Sequence, residues 1–174
     1  MHGPVMQLGF VVPDLEAAAN HWVKLGVGPF FLLEHISFGE CFYKGNPTHI
    51  DISVAVGQWG EVQVELITQH NATSSIYTEV AVGPQGALQH LGVMTHSVKA
   101  ELARYAALGI EPVQWGSTGN GIHFAYVASD RVTGGHPGGM IELIEHGPAI
   151  DGFFAIVKKA ALGWDGSKPL RRMT

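Results

Sequence analysis

The chain has 174 residues, enough for one domain or for two small units fused around a shared core. With 46% hydrophobic residues, 14% charged residues and 23 glycines, its composition is that of a globular protein rich in tight turns. A net charge of −5 gives no electrostatic reason to expect a nucleic acid or an anionic membrane as partner.

A single cysteine, Cys41, excludes an internal disulfide. No apolar run approaches the length of a membrane span. The opening MHGPVMQLGFVVPD has no basic leader and meets Pro13 early, so a cytoplasmic protein is expected.

In chain order, residues 6–12 predict a strand ended by Pro13 and Asp14, with Asp14 as a helix N-cap. The helix from Leu15 is expected to bury Leu15, Ala18, Ala19, Trp22 and Leu25 on one face and to stop at Gly26. Strands are predicted near 31–37, 48–56 and 61–67. Residues 69–89 are polar and turn-rich, with room for a short helix over Ser74–Val80. A second strand and helix follow, capped by Ser97 and stopped by Gly109, and then strands near 113–117, 121–128 and 139–145. The tail carries Phe153, Phe154, Val157 and Leu162, an apolar helical pattern that would pack on the body, on a second subunit or over a cavity.

The chain repeats itself. QLGFVVPDLEAAANHWVKLGVGP at 7–29 aligns without a gap on HLGVMTHSVKAELARYAALGIEP at 90–112, and VELI at 64–67 aligns on IELI at 141–144. Two matches in the same order at nearly the same spacing imply two copies of one βαβββ unit. The predicted class is therefore α+β, with curved mixed sheets enclosing a cavity. The expected divisions are 1–68 and 90–147 for the modules, 69–89 for the linker and 148–174 for a helical tail.

Alternation along each strand sorts residues by face. The apolar sets Leu8/Phe10, Ile50/Ile52/Val54, Val64/Leu66, Leu91/Val93, Phe124/Tyr126 and Ile141/Leu143 are expected beneath the helices. The other face then carries Gln7, Glu65, His90 and Glu142 into the cavity, with His49, Asp51 and His123 as secondary candidates. Glu61 and Gln63 read better as solvated strand-start residues. The repeat pairs Gln7 with His90 and Glu65 with Glu142, so a two-fold relation would bring all four to one point. Two carboxylates meeting there require a cation or a proton between them.

At these residues, in LGFVVPDLEAAANHW, LQHLGVM and GGMIELIE, the sequence resembles the vicinal oxygen chelate superfamily. That group includes glyoxalase I, methylmalonyl-CoA epimerase, extradiol dioxygenases and bleomycin-resistance proteins. The resemblance implies that Gln7, Glu65, His90 and Glu142 ligate one divalent metal, a set similar to that of some glyoxalase I enzymes. Mostly oxygen donors with one imidazole suit Zn, Ni, Co, Mn or Mg, with Fe less favoured. The expected chemistry is a lyase, isomerase or epimerase step on a small, largely apolar substrate, with Glu142 as the mobile base and Glu65 as the second carboxylate.

Val11 and Gln69 stand where glutathione-using members carry Arg and Asn, which argues against glutathione. For a coenzyme A ester, Arg131 and the C-terminal basic residues are the candidate cations. An extradiol iron site would need His49 or His123 to replace Gln7 as a ligand, and His136 sits in a glycine-flanked loop able to border the cavity. A non-catalytic small-ligand binding protein is the alternative from another class. A homodimer is expected from the resemblance.

Overall fold

The computed structural model describes residues 3–80, 83, 86–128 and 139–173. Strand β1 (Val5–Val11) leads into helix α1 (Leu15–Lys24), then β2 (Phe30–Leu33), β3 (Phe38–Tyr43), β4 (Asn46–Pro47), β5 (Ile52–Trp59) and β6 (Val62–Gln69). The second half runs β7 (Ala87–Thr95), α2 (Val98–Ala106), β8 (Gln114–Thr118), β9 (His123–Ala128) and β10 (Met140–Glu145). It closes with α3 (Pro148–Ala161) and β11 (Leu170–Arg172).

Helices α1 and α2 start and stop where local chemistry directs. Asp14 Oδ1 accepts the N–H of Ala17, and Ser97 Oγ accepts that of Ala100. Gly26 and Gly109, at φ of 85° and 73°, take the left-handed conformation just past each helix. Leu25, expected under α1, is instead the C-cap and is 63% exposed.

All strands join one mixed sheet in the order β11-β2-β5-β6-β1-β7-β10-β9-β8-β3-β4, curved but not closed. Within each half the closing strand lies parallel to the opening one, β6 beside β1 and β10 beside β7. The halves meet edge to edge through antiparallel β1 and β7, where Leu8 opposes Leu91, Gln7 opposes Gly92 and Gly9 opposes His90. Leu8 and Leu91 are equivalent in the repeat, so a local two-fold axis passes between them.

The β3–β4 hairpin and β11 are additions to the predicted elements. The hairpin leaves the first half to pair with β8 of the second, whereas residues 119–122 alone join β8 to β9. Its sequence FGECFY buries only Cys41, too little for a periodic signal. Ser74–Val80 is a turn, not the short helix that its pattern allowed. The Ser75 and Thr78 side chains bond to nearby backbone groups and compete with helical pairing.

The helix side of the sheet packs α1 on Phe30, Leu32, Ala55, Val64 and Leu66, and α2 on Val93, Ala125 and Leu143. The other side carries Ile52, Val54, Val56, Ile67, Phe124 and Tyr126. For β5 and β9 this reverses the expected faces: Ile52, Val54, Phe124 and Tyr126 look into the cavity. Register is the reason, because directly opposed residues share a face. Val56 opposes Glu65 and Val54 opposes Ile67, while Tyr126 opposes Glu142. Every residue from Ile52 to Gln58 is buried, so β5 offers no alternation from which a face could be read.

Helix α3 lies over the cavity, the last of its three expected positions, and contributes Ala149, Ile150, Phe153 and Phe154 to the lining. Val157 is fully buried, but Leu162 lies past the helix and is 76% exposed. Among the described residues, no helix is long and apolar enough to cross a membrane.

Candidate metal centre

A cavity of about 740 Å³ opens on the sheet face opposite α1 and α2. Gln7, Glu65 and Glu142 line it, and His90 lies fully buried behind them. Imidazole Nε2 of His90 is 3.1 Å from Glu142 Oε2 and 3.4 Å from Glu65 Oε2, yet it makes no well-aligned hydrogen bond among the described residues. The amide Oε1 of Gln7 is likewise buried without a hydrogen-bond partner among the described residues. Buried polar atoms of this kind are rare in folded proteins unless something else satisfies them. An imidazole nitrogen, two carboxylates and an amide oxygen fit a divalent cation.

The neighbours fix the orientation of these groups. Gln89 Oε1 lies 2.7 Å from His90 Nδ1, so a proton on Nδ1 is donated there and Nε2 is turned towards the carboxylates. Gln7 Nε2 donates to Gln63 Oε1 at 3.1 Å, which turns the Gln7 oxygen the other way. Space comes from two glycines. A Cβ on Gly9 would lie 1.9 Å from the His90 ring, and one on Gly92 would lie 2.9 Å from Gln7 Oε1. Each half thus lays its first candidate ligand across a glycine of the other half.

Charge confirms the crowding. Burial disfavours a charged His90, but the Glu142 and Glu65 carboxylates outweigh it and raise the imidazole to about 9. Burial pushes the Glu65 carboxyl up, and the Glu142 charge adds to this against the lowering effect of His90. Tyr77 and Tyr126 stand beside the carboxylates with their hydroxyls 3.0 Å apart, and the Tyr126 ring meets His90 edge-on at 5.3 Å. Burial first, then the Glu142 charge, holds both phenols well above their ordinary value, so they remain hydrogen-bond donors. Burial also raises the Cys41 thiol to about 11, which leaves it no part as a nucleophile.

The structure therefore gathers Glu65, His90 and Glu142 at one point, and Gln7 lines the same cavity. It does not bring His49, Asp51 or His123 there. His49 and His123 are exposed, and Asp51 lies at the outer end of the sheet against His35. Without either histidine, the two-histidine set of an extradiol iron site is not formed at the cavity centre among the described residues. Gln63 is no solvated strand-start residue: it is 3% exposed and fixes Gln7. Glu61 is exposed as expected and pairs with Lys158. Gln69 bonds to Asn71, Thr73 and Ser75, which fastens the segment that delivers Tyr77. Arg131 and His136 lie outside the described residues.

None of the described residues lining the cavity is Lys or Arg. Arg172, one of the C-terminal candidates for an anionic substrate, is engaged by Glu16 and Glu34.

Among curated proteins no sequence matches. Solved structures share the fold at low identity. Methylmalonyl-CoA epimerase from Mycobacterium tuberculosis is 18% identical with a TM-score of 0.53, over 84% of this chain and 90% of that one. A hypothetical protein from Bacillus halodurans is 15% identical with a TM-score of 0.55, over 83% of this chain and 94% of that one. A Streptomyces coelicolor methylmalonyl-CoA epimerase in complex with 2-nitronate-propionyl-CoA is 12% identical with a TM-score of 0.50, over 85% and 97% of the two chains. The sequence profile of the Glyoxalase/Bleomycin resistance protein/Dioxygenase superfamily matches residues 6–126, and the chain belongs to that family, the vicinal oxygen chelate superfamily.

Proposed function

We propose that this protein is a divalent-metal-dependent enzyme of glyoxalase type. It moves a proton next to a carbonyl of a largely apolar substrate, in an isomerase, epimerase or lyase step. One observation carries the reading: among the described residues buried His90 Nε2 has no aligned partner, although two carboxylate oxygens lie within 3.4 Å of it. Gln7, Glu65, His90 and Glu142 would hold the ion. When bound, it supplies Lewis acidity to the carbonyl oxygen and stabilises the negative charge that builds there.

The chain's own residues do the rest. Glu142 takes the proton from the carbon beside the carbonyl and returns it, while Glu65 remains the second carboxylate. Tyr77 and Tyr126, kept protonated, can donate to the substrate oxygen. The apolar walls of Val54, Ile67, Phe124 and Phe153 select an apolar substrate body and exclude water. The lack of a described cation in that lining supports an uncharged substrate over a glutathione or coenzyme A conjugate. The homodimer implied by the resemblance is not needed to complete the site, because one chain supplies all four ligands.

Exchange of carbon-bound hydrogen with D2O, followed by NMR, tests the reading on uncharged apolar ketones, hydroxyketones and acyl thioesters. Metal-dependent exchange is expected, reduced about 100- to 10,000-fold in Glu142→Gln, the range for a lost general base. Exchange that Glu142→Gln leaves at full rate would refute the assigned role. Absence of exchange with metal bound would favour ligand sequestration.

A further inference from the structure

A second set of metal-ligating side chains lies apart from the cavity centre. His35 follows β2, Asp51 precedes β5 and His70 follows β6. Each offers one ligand atom, and the three atoms lie within 4.8 Å of one another. Nδ1 of His35 is 2.8 Å from Asp51 Oδ1, and the His35 and His70 rings stand 4.7 Å apart, tilted by 34°.

The surroundings fix these three residues. Ser53 is 3% exposed; its Oγ accepts the His35 N–H at 3.0 Å and lies 2.7 Å from His70 Nε2. That bond holds His35 at φ 50°, a left-handed conformation uncommon outside glycine. The His70 N–H donates to the Asp51 carbonyl at 2.8 Å, tying the ends of β5 and β6 together. Hydrogen bonding alone explains two separate pairs, His35 with Asp51 and His70 with Ser53. It does not explain two imidazoles laid against each other beside one carboxylate, an arrangement that a shared cation satisfies.

We propose that His35, Asp51 and His70 form a second divalent-metal site. Two imidazoles and a carboxylate suit Zn, Ni, Co or Cu and disfavour Mg and Ca, which take oxygen ligands. Ser53 is the outer support that orients His70. The site shares no residue with the cavity centre and does not depend on the proposed reaction. His35 and Glu34 border the cavity mouth, so an ion here would pin the segment 34–37 at that mouth.

Calorimetric titration of the metal-free full chain with Zn2+ tests it. Two equivalents are expected. His70→Gln and Asp51→Asn should each remove one, with affinity at that site falling at least about a hundredfold, and His90→Gln should remove the other. One equivalent abolished by His90→Gln, no binding at all, or two equivalents kept in both His70→Gln and Asp51→Asn would overturn the proposal. One equivalent that survives His90→Gln and is lost in His70→Gln would uphold this site and remove the cavity centre.

Discussion

Gln7 and His90 occupy equivalent positions in the repeat, and each crosses a glycine two residues from its counterpart. Gly9→Ala would place a methyl carbon 1.9 Å from the His90 ring. The ring would have to leave its place, so metal affinity at the cavity centre should fall about tenfold to a hundredfold, the usual effect of disturbing a ligand's support. Titration of the folded variant measures it, and unchanged affinity would mean that the ring position does not matter.

His90 also sets a pH dependence. Its value in the metal-free fold is raised from 6.5 to about 9, so its stabilising contribution is complete below 6.5 and lost as pH rises through 9. Glu65, raised above 4.5, acts in the same sense. Metal-free protein should therefore lose thermal stability between pH 6.5 and 9, by roughly 3 kcal/mol from His90 alone on the raised value. A metal must displace that proton, so binding to the cavity centre at pH 7 should release about one proton. Calorimetry in buffers of different ionisation enthalpy reads the release; none would contradict a protonated His90 in the metal-free fold.

The four candidate ligand positions were legible because the repeat marks them twice. Their supports were not. Gln63 aligns with Met140 and Gln89 with Met6, so no second copy points to either glutamine.

At the scale of elements, the strands that the repeat identifies, β1, β6, β7 and β10, carried the readable faces. Strands β5 and β9 did not, since apolar side chains lie on both of their faces and only the register with β6 and β10 decides which face meets the cavity. That is why His123 fell on the wrong side of the prediction and Tyr126 was missed, while His49 and Asp51 lie before β5 begins. Helices α1 and α2 were legible from cap to stop because their signals are local. Helix α3 was legible as an apolar helix, but nothing in its own residues says what it covers. Its place makes a prediction. Replacing Phe153 and Phe154 by Ala removes two cavity walls, so an uncharged apolar dye should bind roughly tenfold more weakly, a loss of about 1.4 kcal/mol. Zinc binding should hardly change. Equal dye affinity in both proteins would show that α3 is not a wall of the binding site.

At the scale of the molecule, the sheet is one surface rather than two because β1 and β7 pair across the local two-fold axis. Gln7 and Glu65 come from one half, His90 and Glu142 from the other, so the cavity centre exists only when the halves are joined. The α+β class and the paired units follow from the repeat. The hairpin that crosses from the first half to β8 could not be foreseen, because it breaks the repeat and buries little. The most direct measurement is anomalous diffraction from crystals soaked in Zn2+ or Co2+. A peak is expected among Glu65, His90 and Glu142, at bonding distances of about 2.0–2.2 Å. Full occupancy elsewhere on the chain with no peak between these three side chains would contradict the metal centre and the chemistry built on it.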